Sequence, residues 1–427
     1  MKAVLRRFVL AILWRAVRIR VKQDNPYVIV VTGSVGKTST KEAIAAMLEQ
    51  TGKPVVKTAG NMATDTGIPL SLLGFADRAK TKGRWITVLF KALFPQFPKF
   101  TTQPYYVLEF SSDTVGDLDF LAKHFPIKAA VFTTGGMAHM ELYKTEEAVI
   151  AEISSLLKYV DKDGYVVVNA DDVPLQHLKP TQSILYFGVK SQKKLAVRGK
   201  VESRDGTGLK CSFTCLEDKI SSKAIEAHVA IIGDQQLYPL IAAVAVGARE
   251  GLTEKNVLAG LKAYSIPAGR GRIIKGAREV TIIDDTANSS PEAVIAGVKM
   301  LKPFANGRRT VAILGTMNEL GSYAEAAHAE IGAAAARTVD SLVAVGQFSQ
   351  TMLAAAKEAG MPATKMIGFP APENVVSQLK QVVQKNDVVY LKASQNGMRL
   401  ERIVKELMEH PEQAEKLLVR QGNEWQE

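Results

Sequence analysis

The sequence predicts an α/β protein: a central parallel-sheet domain built on a phosphate-binding loop and carrying a small antiparallel β insertion, then a C-terminal Rossmann-like α/β domain. Three observations predict it. The apolar run Tyr27–Val31 enters the turn Thr32-Gly33-Ser34-Val35-Gly36-Lys37-Thr38 and continues into the helix-forming stretch Lys41–Glu49. From Tyr27 to about Leu157, short β-rich runs alternate with helical stretches, the rhythm of a parallel sheet covered on both faces. After Pro267 and Gly269 that rhythm starts again.

At the N-terminus, Arg6, Arg7, Arg15, Arg18, Arg20 and Lys22 surround the apolar run Phe8–Trp14. That run is too short to cross a bilayer, which takes about 20 apolar residues. Arginines follow it and no small-x-small site precedes Asp24, unlike a secretory signal. Two readings stay open. One is a basic amphipathic helix over residues 1–25 that touches an anionic membrane through residues 1–22, with Trp14 at headgroup level. The other is a helix docked on the protein's own surface.

The central domain is expected over 26–265. Its strands are read at Tyr27–Val31, Tyr105–Glu109, Ala129–Thr133, Tyr165–Asn169 and Ile184–Phe187, and its helices at Lys41–Glu49, Gly116–His124 and Ala148–Tyr159. Residues 190–232 alternate polar and apolar side chains and include Gly206 and Gly208, which reads as antiparallel strands. An alanine-rich helix follows at Leu240–Arg249. The C-terminal domain is expected over 266–410, with strands at Val280–Asp284, Thr310–Leu314, Ser341–Val345 and Val388–Lys392. Residues 411–427 form a charged tail, read as helical.

The chain has 427 residues, 47% hydrophobic and 23% charged, which suits two or three packed domains and excludes global disorder. Cys211 and Cys215 have no further Cys or His near them, so they make no zinc site, and a cytosolic chain keeps them reduced. The net charge of +11 comes without aromatic-interleaved basic repeats. Polyphosphate substrates or an anionic membrane therefore fit it better than nucleic acid.

The turn after the first strand is suited to a nucleotide. Gly33, Ser34, Val35 and Gly36 aim backbone N–H groups at one spot, and the helix start at Lys37, Thr38 and Ser39 adds partial positive charge. Lys37 can reach the terminal phosphates of ATP, and the Thr38 hydroxyl can ligate Mg²⁺. The spacing Gly-x-x-Gly-Lys-Thr is two residues tighter than the common phosphate loop. Ligands in open α/β sheets bind beyond the carboxyl ends of the strands. Glu109 ends one apolar run, and His139 and Glu141 follow another, so both places can supply ligands to Mg²⁺. In the second domain the polar loops are Gly269-Arg270-Gly271-Arg272, Asp284 to Pro291, and Lys392 to Arg399. Ser290 before Pro291 also reads simply as a helix cap.

The order of these segments resembles the Mur ligase family. It runs from the short phosphate loop through a strand-end Glu, Ala138-His139-x-Glu141 and Asn169-Ala170-Asp171-Asp172 to Gly269-Arg270. It continues with Asp284-Asp285-x-x-Asn288-x-x-Pro291, Leu314 to Gly321 and Lys392 to Glu401. The resemblance covers residues 28–408 or so. It implies an ATP-dependent, ADP-forming ligase in which a carboxylate is phosphorylated and an amine displaces the phosphate. Lys37 and Gly36 would hold the β- and γ-phosphates, and Thr38, Glu109 and His139 would surround Mg²⁺. Asp285 would take the ribose, Asn288 and Gln236 would sit by the nucleotide, and Arg270 would bridge the phosphates on domain closure. Lys392, Ser394, Asn396 and Arg399 would face the incoming amine. The segments Asn169–Asp172, Leu314–Gly321 and Lys392–Glu401 point to the member activity in which D-alanyl-D-alanine is joined to UDP-N-acetylmuramoyl-tripeptide. That places the chain in the cytoplasm, at most peripheral to the inner membrane face, as an expected monomer in peptidoglycan precursor synthesis.

Several positions depart from the family pattern. Only about 25 residues precede the first strand, where the family usually has a UDP-gripping domain. Gly60 to Gly67 carries Ala63, Thr64 and Asp65 in place of Asn, Asn and Glu. Ile153 stands where many members have a carbamylated lysine, with Glu152 beside it as a substitute carboxylate or a plain helix-surface residue. Pro239, Ala287 and Thr316 replace an asparagine, an aromatic and an aspartate. Two alternatives stay open: a carboxylate–amino acid ligase of the folylpolyglutamate type, and a nucleotide-binding scaffold without turnover.

Overall fold

The computed structural model describes residues 2–75, 82–112, 114–135, 145–216, 220, 223–318, 320–394, 397–422 and 425. The chain divides into two compact units. The first comprises Met1–Val201, Cys211–Ala227 and Gln235–Ser265; the second comprises Glu202–Lys210, His228–Asp234 and Ile266–Glu427.

The first sheet contains β1 (Tyr27–Thr32), β2 (Val55–Lys57), β3 (Tyr105–Glu109), β4 (Ile127–Phe132), β5 (Val160–Asn169), β6 (Ser183–Gly188), β7 (Val197–Asp205), β8 (Gly208–Cys215) and β9 (Ile225–Val229), in the order β2-β3-β1-β4-β5-β6-β7-β8-β9. The ladders from β2 to β7 are parallel. β7 and β8 are joined across Gly206-Thr207, a connection short enough only for antiparallel neighbours. The strands read from residues 190–232 thus extend the edge of the parallel sheet. Central strands of such a sheet are buried on both faces, and so β1 and β3 read as unbroken apolar runs rather than alternating ones. Helix Lys37–Leu48 is met by helices Leu237–Arg249 and Glu254–Ala263. A Cβ on Gly247 or Gly260 would lie within 3.0 Å of Met47, so only glycine permits that approach.

The second sheet contains β10 (Arg272–Lys275), β11 (Thr281–Asp285), β12 (Thr310–Gly315), β13 (Ser341–Val345), β14 (Met366–Phe369) and β15 (Val388–Lys392), in the order β10-β11-β15-β12-β13-β14. Only β10 runs antiparallel to its neighbour. Successive residues of one strand feed opposite cores. Ala312, Leu314 and Tyr390 pack beneath helices Pro291–Ala305 and Ala324–Thr338, while Val311, Ile313 and Leu391 pack on the face that buries Val375 and Val404. This alternation is the doubly wound arrangement expected from the sequence.

Two expectations are corrected. Trp14 does not stand at a headgroup level: it is buried, stacked 4.1 Å from the His124 ring, because helix Lys2–Asp24 docks its C-terminal half on the first unit's core. Arg20 is buried with it and donates to the Tyr106 hydroxyl at 3.0 Å and to the Leu72 carbonyl. The C-terminal tail is not a continuous helix; it forms a turn at Pro411–Gln413 and the short helix Ala414–Leu417. Ala414 and Leu418 are buried in the second unit's core, so apolar anchoring rather than charge sets the tail's path.

Candidate functional site

β1 delivers the chain into the phosphate loop, and two glycines allow the turn. Gly33 has φ 131°, and a Cβ there would lie 2.4 Å from Thr133 Oγ1. Gly36 has φ 87° and caps helix Lys37–Leu48, with no side-chain acceptor and no acidic residue in the first turn. The positive end of the helix dipole therefore meets no protein anion of its own first turn. The end of β4 shapes the loop from the other side. Thr134 accepts the Ser34 N–H through its carbonyl and the Val35 N–H through its hydroxyl, both at 2.9 Å, and Thr133 Oγ1 donates to the Val35 carbonyl at 2.7 Å. Ser34 and Val35 thus spend their N–H groups on Thr134, so the loop's donors toward an anion are those at the helix start, Gly36 to Ser39.

Lys37 folds back over this loop, donating to the carbonyls of Gly33 at 2.7 Å and Ser34 at 3.1 Å. The Thr38 hydroxyl donates to Glu109 Oε1 at 3.1 Å. Glu109 is buried at the end of β3, and its Oε2 has no hydrogen-bond partner among the described residues. That oxygen lies 3.7 Å from the ammonium of Lys41. A hydroxyl and a buried carboxylate with an unused lone pair, side by side at a phosphate loop, are the hard oxygen donors Mg²⁺ takes, so the residues present fit that ion. His139 and Glu141 lie outside the described residues, as does Asn396.

Lys41 was missed by sequence reasoning. It is fully buried, donates to the carbonyls of Thr58 and Gly60 at 2.6 Å each, and pairs with Glu42 Oε1 at 3.1 Å. The Thr58 hydroxyl in turn accepts the Glu109 N–H at 3.0 Å. The available signal was spacing: Lys41 sits one helical turn after Lys37, in a stretch otherwise turning apolar.

Asn169 and its neighbours brace the loop from below. Asn169 donates to the Thr133 carbonyl at 3.0 Å, and Asp172 accepts the Gly135 N–H at 3.0 Å. Asp171 holds a turn through the N–H groups of Val189, Lys190 and Ser191 and takes the Tyr238 hydroxyl at 2.8 Å. Burial raises its pKa, but these donors outweigh burial and hold it below the ordinary carboxylate value. Glu152 is also committed locally. It accepts from Ser112 Oγ and from the N–H groups of Gly116 and Leu118 at 2.8–3.0 Å, while Ile153 is buried in the core. Glu152 thus serves the 112–118 loop, not as the substitute carboxylate considered above. Gln236 sits in a short 3-10 turn at the head of helix Leu237–Arg249.

In the second unit, Asp285 ends β11 beside Lys392, which ends β15. Asp285 Oδ2 accepts from Lys392 Nζ at 2.7 Å and from the Tyr390 hydroxyl at 2.9 Å, and the same ammonium donates to the Asn288 carbonyl at 2.9 Å. The structure thus unites Asp285, Asn288 and Lys392. The neighbouring Asp284 is fully buried. Burial pushes its carboxyl up to about 6, although Thr286 and the Gly269 N–H donate to it. Arg270 follows Gly269, whose φ is 66° and whose Cβ would strike the Ala287 backbone at 2.7 Å. Ser394 accepts the Asn318 N–H at 2.9 Å. Arg399, with φ 45°, reaches Glu401 only at 3.5 Å. The buried Glu401 is instead held by Arg420 through two bonds of 2.8 and 2.7 Å, and Arg420 also donates to the Thr286 carbonyl. Arg420 went unnoticed because it lies in what read as a charged helical tail.

A phosphate loop with a hydroxyl–carboxylate pair, on a parallel sheet followed by a second doubly wound unit, defines a nucleotide-binding α/β protein. The Mur ligase middle domain matches residues 31–247, and the Mur ligase glutamate ligase domain matches residues 269–395; the chain belongs to the Mur ligase family. It is similar to the UDP-N-acetylmuramoyl-tripeptide–D-alanyl-D-alanine ligase of Bacillus subtilis, 27% identical over 387 residues, covering 90% of this chain and 76% of that protein. Its fold is that of MurF from Acinetobacter baumannii, with a TM-score of 0.76 at 22% identity, covering 94% of this chain and 80% of that one. It is also that of MurF ligase from Thermotoga maritima in complex with ADP, with a TM-score of 0.74 at 24% identity, covering 95% and 84%.

Proposed function

We propose that the chain is an ATP-dependent ligase that joins D-alanyl-D-alanine to UDP-N-acetylmuramoyl-tripeptide through an acyl phosphate. The observation that carries the chemistry is the Thr38–Glu109 pair at the phosphate loop, with Glu109 Oε2 left without a hydrogen-bond partner. The substrate pair is supported by the names of the similar proteins and by the Asn169–Asp172 and Lys392–Glu401 segments.

A carboxylate is a poor electrophile, and transfer of the γ-phosphoryl group supplies its leaving group. The protein's tasks are then positioning and charge neutralisation. In this reading the N–H groups at the start of helix Lys37–Leu48 receive the phosphates, and Lys37 exchanges the Gly33 and Ser34 carbonyls for phosphate oxygens. Thr38 and Glu109, with His139, would hold Mg²⁺, which supplies charge neutralisation at the phosphates. Lys41, held by two carbonyls, keeps Glu109 in place through their ion pair at 3.7 Å. Gln236, Asp285 and Asn288 are proposed for the nucleoside, Arg270 for the phosphates, and Ser394, Asn396 and Arg399 for the amine substrate. Lys392 acts by holding Asp285.

The test is phosphate release from ATP with Mg²⁺, the tripeptide precursor and the dipeptide being added singly and together. Release that needs both, with a product heavier by the dipeptide, is expected. Release with neither, or ATP binding without coupled release, would overturn the reading.

A further inference from the structure

Fourteen large hydrophobic side chains stand exposed among the described residues, and seven of them lie on or directly after just two helices. Val4, Leu5 and Phe8 occupy the first turns of helix Lys2–Asp24. Ile86, Phe90 and Phe94 stand four apart along helix Lys82–Leu93 and its next residue, with Leu93 beside them; these four are 44–71% exposed. The Phe90 and Phe94 rings lie 5.4 Å apart, so they pack on one another in the open. The two helices belong to one structure. Leu13 and Ala16 share a core with Val88 and Ala92, and Arg15 donates to the Leu93 carbonyl at 3.3 Å. Each helix thus buries one face against the other and leaves an apolar stripe on the face that has no such partner.

Basic residues dominate the segments that carry these stripes, although Asp65 pairs with Arg6 at 2.6 Å. Residues 1–23 carry seven lysines and arginines, and residues 78–108 carry six; neither segment contains an Asp or Glu. Two short stretches therefore hold more positive charge than the chain's whole net +11. Exposed aromatic and aliphatic side chains beside cationic heads match the boundary between acyl chains and anionic headgroups. A second copy of the chain would bring two cationic rims together, which like-charge repulsion opposes. No helix among the described residues is long and apolar enough to cross a membrane, so the contact is with a surface.

We propose that helices Lys2–Asp24 and Lys82–Leu93 together form a docking surface for an anionic lipid bilayer. Phe8, Ile86, Phe90 and Phe94 enter the acyl boundary, and the surrounding arginines and lysines meet the headgroups. Trp14 takes no part, being buried. This inference does not rest on the ligase reading, since vesicle binding requires no substrate.

The experiment is co-sedimentation of the full chain with vesicles of phosphatidylcholine and phosphatidylglycerol, against vesicles of phosphatidylcholine alone. Binding to the anionic vesicles is expected to exceed neutral binding by about tenfold and to weaken by a similar factor at ~0.5 M salt. The variant Ile86→Ser/Phe90→Ser/Phe94→Ser, changed only at exposed positions, should lose about tenfold in anionic-vesicle binding while keeping its melting temperature. Arg7→Glu/Arg18→Glu is the second variant and should lose a comparable factor should the first fail to fold. No binding to anionic vesicles, equal binding to neutral ones, or unchanged binding by the variants would overturn the proposal. So would a dimer in sedimentation equilibrium that the serine variant abolishes, since that would give the surface to a second copy.

Discussion

Glu109 and Asp285 hold the same position in two different sheets, each the last residue of a parallel strand, and the protein treats them differently. Glu109 is buried with one oxygen bonded by Thr38 and the other without a hydrogen-bond partner. Asp285 is partly accessible, and one oxygen already takes both a lysine and a tyrosine. A buried carboxylate oxygen without a donor is costly, and it persists at the phosphate loop because the neighbouring Lys41 ammonium offsets part of that cost. The Asp285–Lys392 pair carries no such deficit. Strand-end carboxylates that look alike in a sequence therefore divide into one with capacity left for a ligand and one largely committed to tying two strands together.

The comparison is most sharply tested at the loop. Lys37→Ala should lower ATP-dependent ligation by about 10³-fold or more, with the melting temperature nearly unchanged, because the Gly33 and Ser34 carbonyls that take its ammonium belong to a surface loop that water can reach. Normal turnover in that variant would remove the phosphate-site assignment. Glu109→Gln should cost roughly 10²-fold in turnover, raise the Mg²⁺ concentration for half activity, and destabilise the fold by about 1–3 kcal/mol by leaving Lys41 undercompensated. Denaturant unfolding beside the Mg²⁺ titration checks both parts, and an unaltered Mg²⁺ requirement would reduce Glu109 to a structural partner of Lys41.

Asp285→Asn should also destabilise, by about 1–3 kcal/mol, because Lys392 then keeps its charge without a carboxylate. Steady-state kinetics decide its second role: a raised KM for ATP in Asp285→Asn but not in Lys392→Met keeps Asp285 at the nucleotide, and stability loss alone makes it purely a strand tie.

The smallest effect is one of pH. Asp284 titrates near 6 in the folded chain and at about 4 when unfolded, so the folded state binds the extra proton between those values. Its contribution to stability is full below about pH 4 and is lost as pH rises through 6. His124 has the opposite sign: burial pushes it down to about 4, so its contribution is present above about pH 6.5 and lost as pH falls. Asp284→Asn should therefore remove a stability gain of about 1–3 kcal/mol seen between pH 6 and pH 4, leaving the His124 loss exposed. Melting curves at half-unit intervals would show this, and an unchanged slope in the variant would place the Asp284 proton elsewhere.

Much of this was legible in the sequence where local chemistry and spacing sufficed. The phosphate loop depends on glycines at fixed offsets between a strand and a helix, and β3, β12, β13 and β15 read directly as continuous apolar runs buried on both faces. Ser290 does cap helix Pro291–Ala305, accepting the Ala293 N–H. The short strands β2, β10 and β14 went unseen, since three or four residues give too little period to register.

What the sequence determined by itself was the fold class, the loop and the acidic strand ends, because each is encoded in neighbouring residues. Tertiary structure decided which of those acids remain available. Glu109 meets Lys41 and Thr58 only through the packing of β3 against β2 and helix Lys37–Leu48; Glu152 is drawn to the N–H groups of Gly116 and Leu118; Glu401 finds Arg420; and Trp14 is buried rather than displayed. Each outcome turns on partners distant along the chain, whose hydrogen bonds and burial no local pattern can specify.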